Sequence, residues 1–225
     1  MNGDMRCTIG SGQVTRMTPA RSRPPVILEF ARNKARAAGY SNVETSAVDG
    51  ESLKVGAGVF DAAICRLGLM FFPNPGKGLR EMYRALKPGG RACTMVFSSP
   101  DNNPCVSILV STAFKYAGLA PRDPYQPGGL LSLGKPGLIA DVFQQAGFSR
   151  VATTKLAAPF RLPSVKDYLA FIRNSASPIL QILGQLDASA KQAAWAEIET
   201  KLSVFNTPDG WQGANELLLT MGRRI

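Results

Sequence analysis

The strongest constraint on the fold lies in residues 60–69, Phe-Asp-Ala-Ala-Ile-Cys-Arg-Leu-Gly-Leu, a nearly continuous apolar run without polar alternation. Such a run predicts a strand buried on both faces, which occurs in parallel sheets covered by helices. After Pro73-Asn74-Pro75-Gly76, residues 77–86 place Leu79, Met82, Tyr83 and Leu86 on one helical face, and Lys87-Pro88-Gly89-Gly90 stops the helix. Residues 91–97 then read as a second buried strand. A strand, a helix and a strand in this order make a right-handed crossover, so the fold is α/β with a mostly parallel sheet.

The flanking sequence extends this pattern. Pro24 and Pro25 open an amphipathic helix over residues 26–38, closed by Gly39. Residues 42–48 read as a short strand whose exit turn is Asp49-Gly50-Glu51-Ser52-Leu53. Further helices are expected over residues 106–117, 136–146, 164–173, 178–186 and 189–202, with Ser164 as an N-cap, and strands over 150–156 and 215–222. Residues 1–25, rich in Arg, Thr, Ser, Gly and Pro, form a separate arm with at most one strand, ahead of an α/β domain over 26–225.

Composition narrows the chemistry. With 225 residues the chain has room for one ordinary core. It contains no histidine, which removes Ser-His-Asp and Cys-His nucleophile pairs and histidine metal ligands. Cys7, Cys65, Cys93 and Cys105 show no C-x-x-C spacing and read as buried free thiols, with no metal site. The first eight residues lack the apolar stretch of a secretory signal, and residues 67–72 are far too short to span a bilayer, so a cytoplasmic protein without a membrane segment is expected. Lys and Arg total 26 against 16 acids, a net charge of +10, concentrated in residues 16–36. No aromatic residues alternate with these bases, which argues for a solvated face over a nucleic-acid site.

Three stretches carry a family resemblance: Val48-Asp49-Gly50-Glu51-Ser52-Leu53; residues 60–72, ending Leu69-Met70-Phe71-Phe72; and Glu81-Met82-Tyr83-Arg84-Ala85-Leu86-Lys87-Pro88-Gly89-Gly90-Arg91. In order and spacing, over residues 26–222, the chain resembles the class I S-adenosylmethionine-dependent methyltransferases, especially the small-molecule branch with the ubiquinone and menaquinone enzymes. The resemblance implies a Rossmann-like class I methyltransferase fold with an incomplete N-terminal βα unit and a helical substrate cover at about residues 164–202. It also implies S-adenosylmethionine as cofactor and methyl transfer to a small-molecule acceptor. Proximity and orientation dominate such a displacement, so the lack of histidine is tolerable.

The same resemblance assigns the candidate site. Asp49, Gly50 and Glu51 fall on the turn that meets adenine in the family, where a carboxylate accepts from the adenine amino group. Asp49 also suits a plain Asp-Gly turn. Arg66 and Leu67 fall at the opening of the sheet beside the methionine part of the cofactor; Arg66 alternatively forms an ion pair with Asp61 or Glu81. Phe71 and Phe72 read as core. Gly10 and Gly12 are the nearest candidates for the family's Gly-rich loop, after a short strand at residues 5–9. The family's acid before that loop, its third glycine and the ribose-binding acid have no counterpart, and no acid occurs between Asp4 and Glu29. The start reads as altered or truncated, so either residues 5–9 substitute for the missing central strand or a homodimer covers the gap. No catalytic base is identified. Two other functions stay open: a binding protein of this fold that has lost the cofactor, and a hydrolase using Asp49, Glu51 and Asp61.

Overall fold

The protein, described here as a computed structural model, is placed over residues 6–10, 14–17, 24–174 and 178–225, with side chains from Leu28 onward except at 178. Contacts divide it into a sheet unit within Asp4–Phe97, Tyr125–Lys155 and Leu218–Ile225, and a helical unit whose described parts lie in Ser98–Pro124 and Leu156–Leu217.

In the sheet unit the predicted crossover is present: β4 (Phe60–Arg66), α2 (Pro75–Ala85) and β5 (Leu86–Phe97), with β4 and β5 parallel. Asn74 caps α2 through its side chain, which accepts from Lys77 N at 2.9 Å, and Pro75 takes the first turn. Leu79, Met82 and Ala85 turn its apolar face inward. The other strands are β1 (Arg6–Gly10), β2 (Val14–Met17), β3 (Val43–Thr45), β6 (Ser149–Ala157) and β10 (Glu216–Arg223), in the order β3-β2-β1-β4-β5-β10-β6. Helix α1 (Pro24–Ala37) packs against β3, where Arg32 donates to Thr45 Oγ1 at 3.0 Å. Helix α4 (Leu138–Gln145) lies beside α2.

Direction within the sheet departs from expectation at one place. β2 is parallel to β3, and β1 is antiparallel to both β2 and β4. The short strand expected at residues 5–9 does enter the sheet, at Arg6–Gly10 between β2 and the central β4, but it runs antiparallel to both. At the other side β10 is antiparallel to β5, since Arg224 N bonds Gly90 O and Ser98 N bonds Glu216 O.

The expectation that β4 is buried on both faces is corrected. Phe60, Ala63 and Cys65 are buried while Ala62, Ile64 and Arg66 are exposed, because α2 and α4 cover one face and no helix of the sheet unit covers the other over β4. Cys93, also expected to be buried, is half-buried on the open side, whereas Cys65 and Cys105 are buried free thiols; the Cys7 side chain lies outside the described residues.

The helical unit builds its own core. Helices α3 (Pro104–Tyr116), α5 (Val165–Asn174), α6 (Pro178–Gly184) and α7 (Ala188–Leu202) enclose Leu109, Tyr168, Leu169, Trp195, Ile198 and Trp211. Ser164 caps α5, its Oγ donating to Asp167 at 2.6 Å and accepting from Asp167 N at 3.3 Å. A three-stranded sheet, β7 (Phe160–Leu162), β9 (Gly210–Gly213) and β8 (Asn206–Thr207), has no counterpart in the sequence reading, because strands of two to four residues show no period. It presents Trp211, which stacks on Tyr168 at 4.5 Å and donates from Nε1 to Leu202 O at 2.8 Å. Lys115 of α3 and Lys201 of α7 both grip Glu197, holding its carboxyl down at about 2.

The carboxyl end of α2 is closed by a cation from the far end of the chain. Arg224 donates from Nη1 to Tyr83 O at 3.0 Å, to Arg84 O at 2.9 Å and to Leu86 O, and its guanidinium lies 5.0 Å from the Tyr83 ring centroid. A positive charge on terminal carbonyls is favourable both as hydrogen bonding and against the helix dipole. Arg224→Ala is expected to destabilise the fold by about 1–3 kcal/mol, read as a lower urea midpoint, with Arg224→Lys recovering only part of the loss.

Candidate functional site

Strands β2, β3, β4 and β5 point the same way, so their carboxyl ends share one edge, where open α/β sheets place ligands. The loop after β3 borders this edge, and its conformation is set by three carboxylates. Asp49 Oδ1 accepts from Glu51 N at 2.9 Å, closing an Asx turn, and Ser52 N bonds Asp49 O at 3.0 Å. Glu51 Oε1 accepts from Asn74 N at 2.7 Å, tying the loop to the start of α2. Glu81 Oε2 accepts from Leu53 N at 2.9 Å.

Glu81 is itself held by Arg84, with Nη2 to Oε2 at 2.9 Å and Nε to Oε1 at 3.0 Å. Arg84 continues to Val55 O at 2.9 Å and Leu53 O at 3.0 Å, so one bidentate pair on α2 fixes the backbone of residues 53–55. The Arg84 guanidinium holds the Glu81 carboxyl below its usual range, and the carboxylate raises Arg84 in return. This pair went unrecognised in the sequence, where Glu-x-x-Arg at i,i+3 on a helix was its only signal.

Gly50 is required by packing. A Cβ there meets the Phe72 ring at 2.3 Å, and one at Gly78 meets the same ring at 2.6 Å, so Phe72 is wedged between two glycines. Phe72 is buried, as expected of a core residue. Leu67 follows β4 at the same edge with a left-handed φ of 54°, held by Leu67 N to Met95 O at 2.9 Å. A branched side chain in that region is strained, and strain of this kind gathers at ligand sites.

The candidates are therefore not all together. Asp49, Gly50, Glu51 and Leu67 border the carboxyl edge. Arg66 is exposed at the end of β4 and pairs with neither Asp61 nor Glu81, which are taken by Lys87 at 2.8 Å and by Arg84. Gly10 is paired with Ala62, near the start of β4, so the end of β1 lies at the opposite edge of the sheet; Gly12 lies outside the described residues. Asp61, the second residue of β4, is likewise remote from Asp49 and Glu51 along the strand, and the three carboxylates form no common cleft. Among the described residues there is no group of three or more His, Cys, Asp or Glu side chains able to hold a metal, and no helix long and apolar enough to cross a membrane.

Residues 22–117 match the sequence model of the ubiE/COQ5 methyltransferase family. A ubiquinone/menaquinone biosynthesis C-methyltransferase, UbiE, from Haemophilus ducreyi is 28% identical over 141 residues, covering 59% of this chain and 54% of that protein. A demethylmenaquinone methyltransferase from Deinococcus radiodurans is 30% identical over 140 residues, covering 55% of this chain and 54% of that protein. The chain thus spans about half the length of these curated relatives. Among solved structures, a protein of Bacillus halodurans assigned as a methyltransferase has a TM-score of 0.59 at 20% identity, covering 94% of this chain and 83% of its own. The YcgJ protein of Bacillus subtilis gives 0.58 at 16% identity, covering 93% and 81%. These likenesses establish the fold.

Two substitutions test the build of the loop. Glu81→Gln is expected to lower stability by about 1–2 kcal/mol at neutral pH. Because the folded Glu81 titrates below its unfolded value, its contribution is complete above the unfolded value of about 4.3 and disappears as pH falls through the folded value, so wild type and variant converge in urea midpoint only once pH is below the folded value. Gly50→Ala is expected to cost about 1–3 kcal/mol by driving a methyl into the Phe72 ring, and Gly50→Ala combined with Phe72→Leu to recover part of it in thermal melts.

Proposed function

From its class I methyltransferase-like fold and its similarity to the ubiE/COQ5 methyltransferase family over residues 22–117, we propose that the chain binds S-adenosylmethionine at the carboxyl edge of its sheet and methylates a small-molecule acceptor. The observation that carries this reading is the Asp49 carboxylate: it is exposed, one oxygen is fixed by Glu51 N, and Oδ2 has no partner among the described residues. An immobilised acceptor of that kind fits the amino group of adenine.

The residues present fit the adenine end of the cofactor. Asp49 would receive the amino group, and Leu67 would line the edge; Glu51 holds the loop through Asn74. The ribose and methionine end finds no Gly-rich loop at this edge among the described residues, since β1 ends at the other one. When bound, the cofactor supplies an electrophilic methyl on a sulfonium, which an acceptor attacks in line. The chain's contribution is to hold and orient, and no general base is assigned. The free thiols Cys65, Cys93 and Cys105 suit a reducing, cytoplasmic compartment.

A second reading, a binding protein of the same fold without the cofactor, draws on the reversed β1. Calorimetric titration with S-adenosylmethionine and S-adenosylhomocysteine separates the two. Micromolar binding, about −8 kcal/mol, weakened about tenfold in Asp49→Ala, is the expected result. Absence of heat and of a thermal shift with both ligands would replace methyl transfer by the second reading.

A further inference from the structure

The uncovered face of the sheet has a definite composition and boundary. The register places Ala62, Ile64 and Arg66 of β4 beside Arg91, Cys93 and Met95 of β5. On β10 the same face carries Leu219, Met221 and Arg223, and the Thr153–Thr220 contact at 2.9 Å puts Ala152 and Arg150 of β6 next to it. Ile64 is 48% and Met221 49% exposed, with Cys93, Met95 and Leu219 half-buried between and beside them, so an apolar strip runs partly open from β4 to β10. Singly scattered apolar residues would need no explanation; a contiguous strip on one sheet face does.

Its rim is basic. Arg91, Arg223 and Arg150 occupy one row across β5, β10 and β6, and Arg66 stands at the other end of the strip; among the described residues none of the four has an ion-pair partner. Like charges on neighbouring strands disfavour each other, and an acidic partner relieves that repulsion.

The same face already seats one helix. The Cα register runs from Ile64 through positions 8 and 16 to Thr45, and Thr45 is the residue that Arg32 of α1 grips. The open strip is the continuation of the layer that α1 begins. Four strands at about 4.8 Å spacing are about 15 Å across, enough for one helix of about 10 Å diameter beside α1.

We propose that this face is a docking surface for an amphipathic helix of another protein, with an apolar stripe set over Ile64, Cys93 and Met221 and carboxylates flanking it toward Arg91, Arg223 and Arg150. A second copy of this chain placed face to face sets arginines against arginines. A bilayer reaches protruding side chains more readily than a strip lying one layer below the outer surface of α1. The proposal does not rest on cofactor binding.

The test uses the full chain and two synthetic peptides of about five helical turns, sharing a leucine stripe and flanked either by glutamates or by lysines. The glutamate peptide is expected to bind and to shield Cys93 from iodoacetamide, read by peptide mapping. Arg91→Glu with Arg223→Glu is expected to weaken it about tenfold while strengthening the lysine peptide, with circular dichroism confirming that the variant is folded. Ile64→Ser, which leaves every charge in place, is expected to weaken the glutamate peptide as well. Equal binding of the two peptides, no binding of either, or unchanged Cys93 alkylation at saturation would overturn the proposal. So would a sedimentation dimer that Ile64→Ser dissociates, which gives the face to a second copy, or preferential binding to phosphatidylglycerol vesicles, which gives it to a membrane.

Discussion

The parallel pairing of β4 with β5 is the contact on which the remainder of the sheet unit depends. It holds only because β5 begins with a turn that no residue but glycine allows. A Cβ at Gly90 meets Lys87 O at 2.9 Å and Asp61 O at 3.1 Å, so the chain leaves α2 and enters the sheet by passing directly over the backbone of β4. The register shifts between Phe60 and Ala62 at this crossing. From there α2 is locked at its start by Asn74, in its middle by the Glu81–Arg84 pair and at its end by Arg224. The loop carrying Asp49 depends on two of those three locks.

Two features of the candidate site follow from this arrangement. The loop is rigid because its polar groups are spent on α2, with Glu51 on Asn74 N and Leu53 on Glu81, leaving one oxygen of Asp49 for an outside donor. Between β2 and β4 the edge receives no strand end, because β1 runs in the opposite direction. A strand entering from that direction completes the hydrogen bonding of β4 while placing Gly10 opposite Ala62, near the start of β4. The antiparallel β1 therefore satisfies the sheet without adding a strand end to the carboxyl edge.

The elements legible in the sequence were those with a strong local signature. Asn74-Pro75 and Pro24-Pro25 mark helix starts, Gly39 and Lys87-Pro88-Gly89-Gly90 mark stops, and Ser164 with Asp167 marks a capped helix; the structure places all of these within a few residues of expectation. The small sheet around Trp211 escaped because its strands are too short to show a period. The resemblance singled out Asp49, Gly50, Glu51 and Leu67, which border the carboxyl edge, whereas the wedge of Phe72 between Gly50 and Gly78 joins residues up to 28 positions apart and has no local pattern.

The sequence by itself determined that this is an α/β chain with a mostly parallel sheet, because apolar periodicity and turn chemistry act over a few residues and are written in order. Only the tertiary structure decided the direction of β1, the exposure of Ile64 and Arg66, and the separation of Gly10 from Asp49. A strand's direction depends on which edge hydrogen bonds remain open when it docks, and its burial depends on whether a second layer arrives. An apolar run alone records neither, which is why residues 60–66 read as doubly buried and stand with one face open.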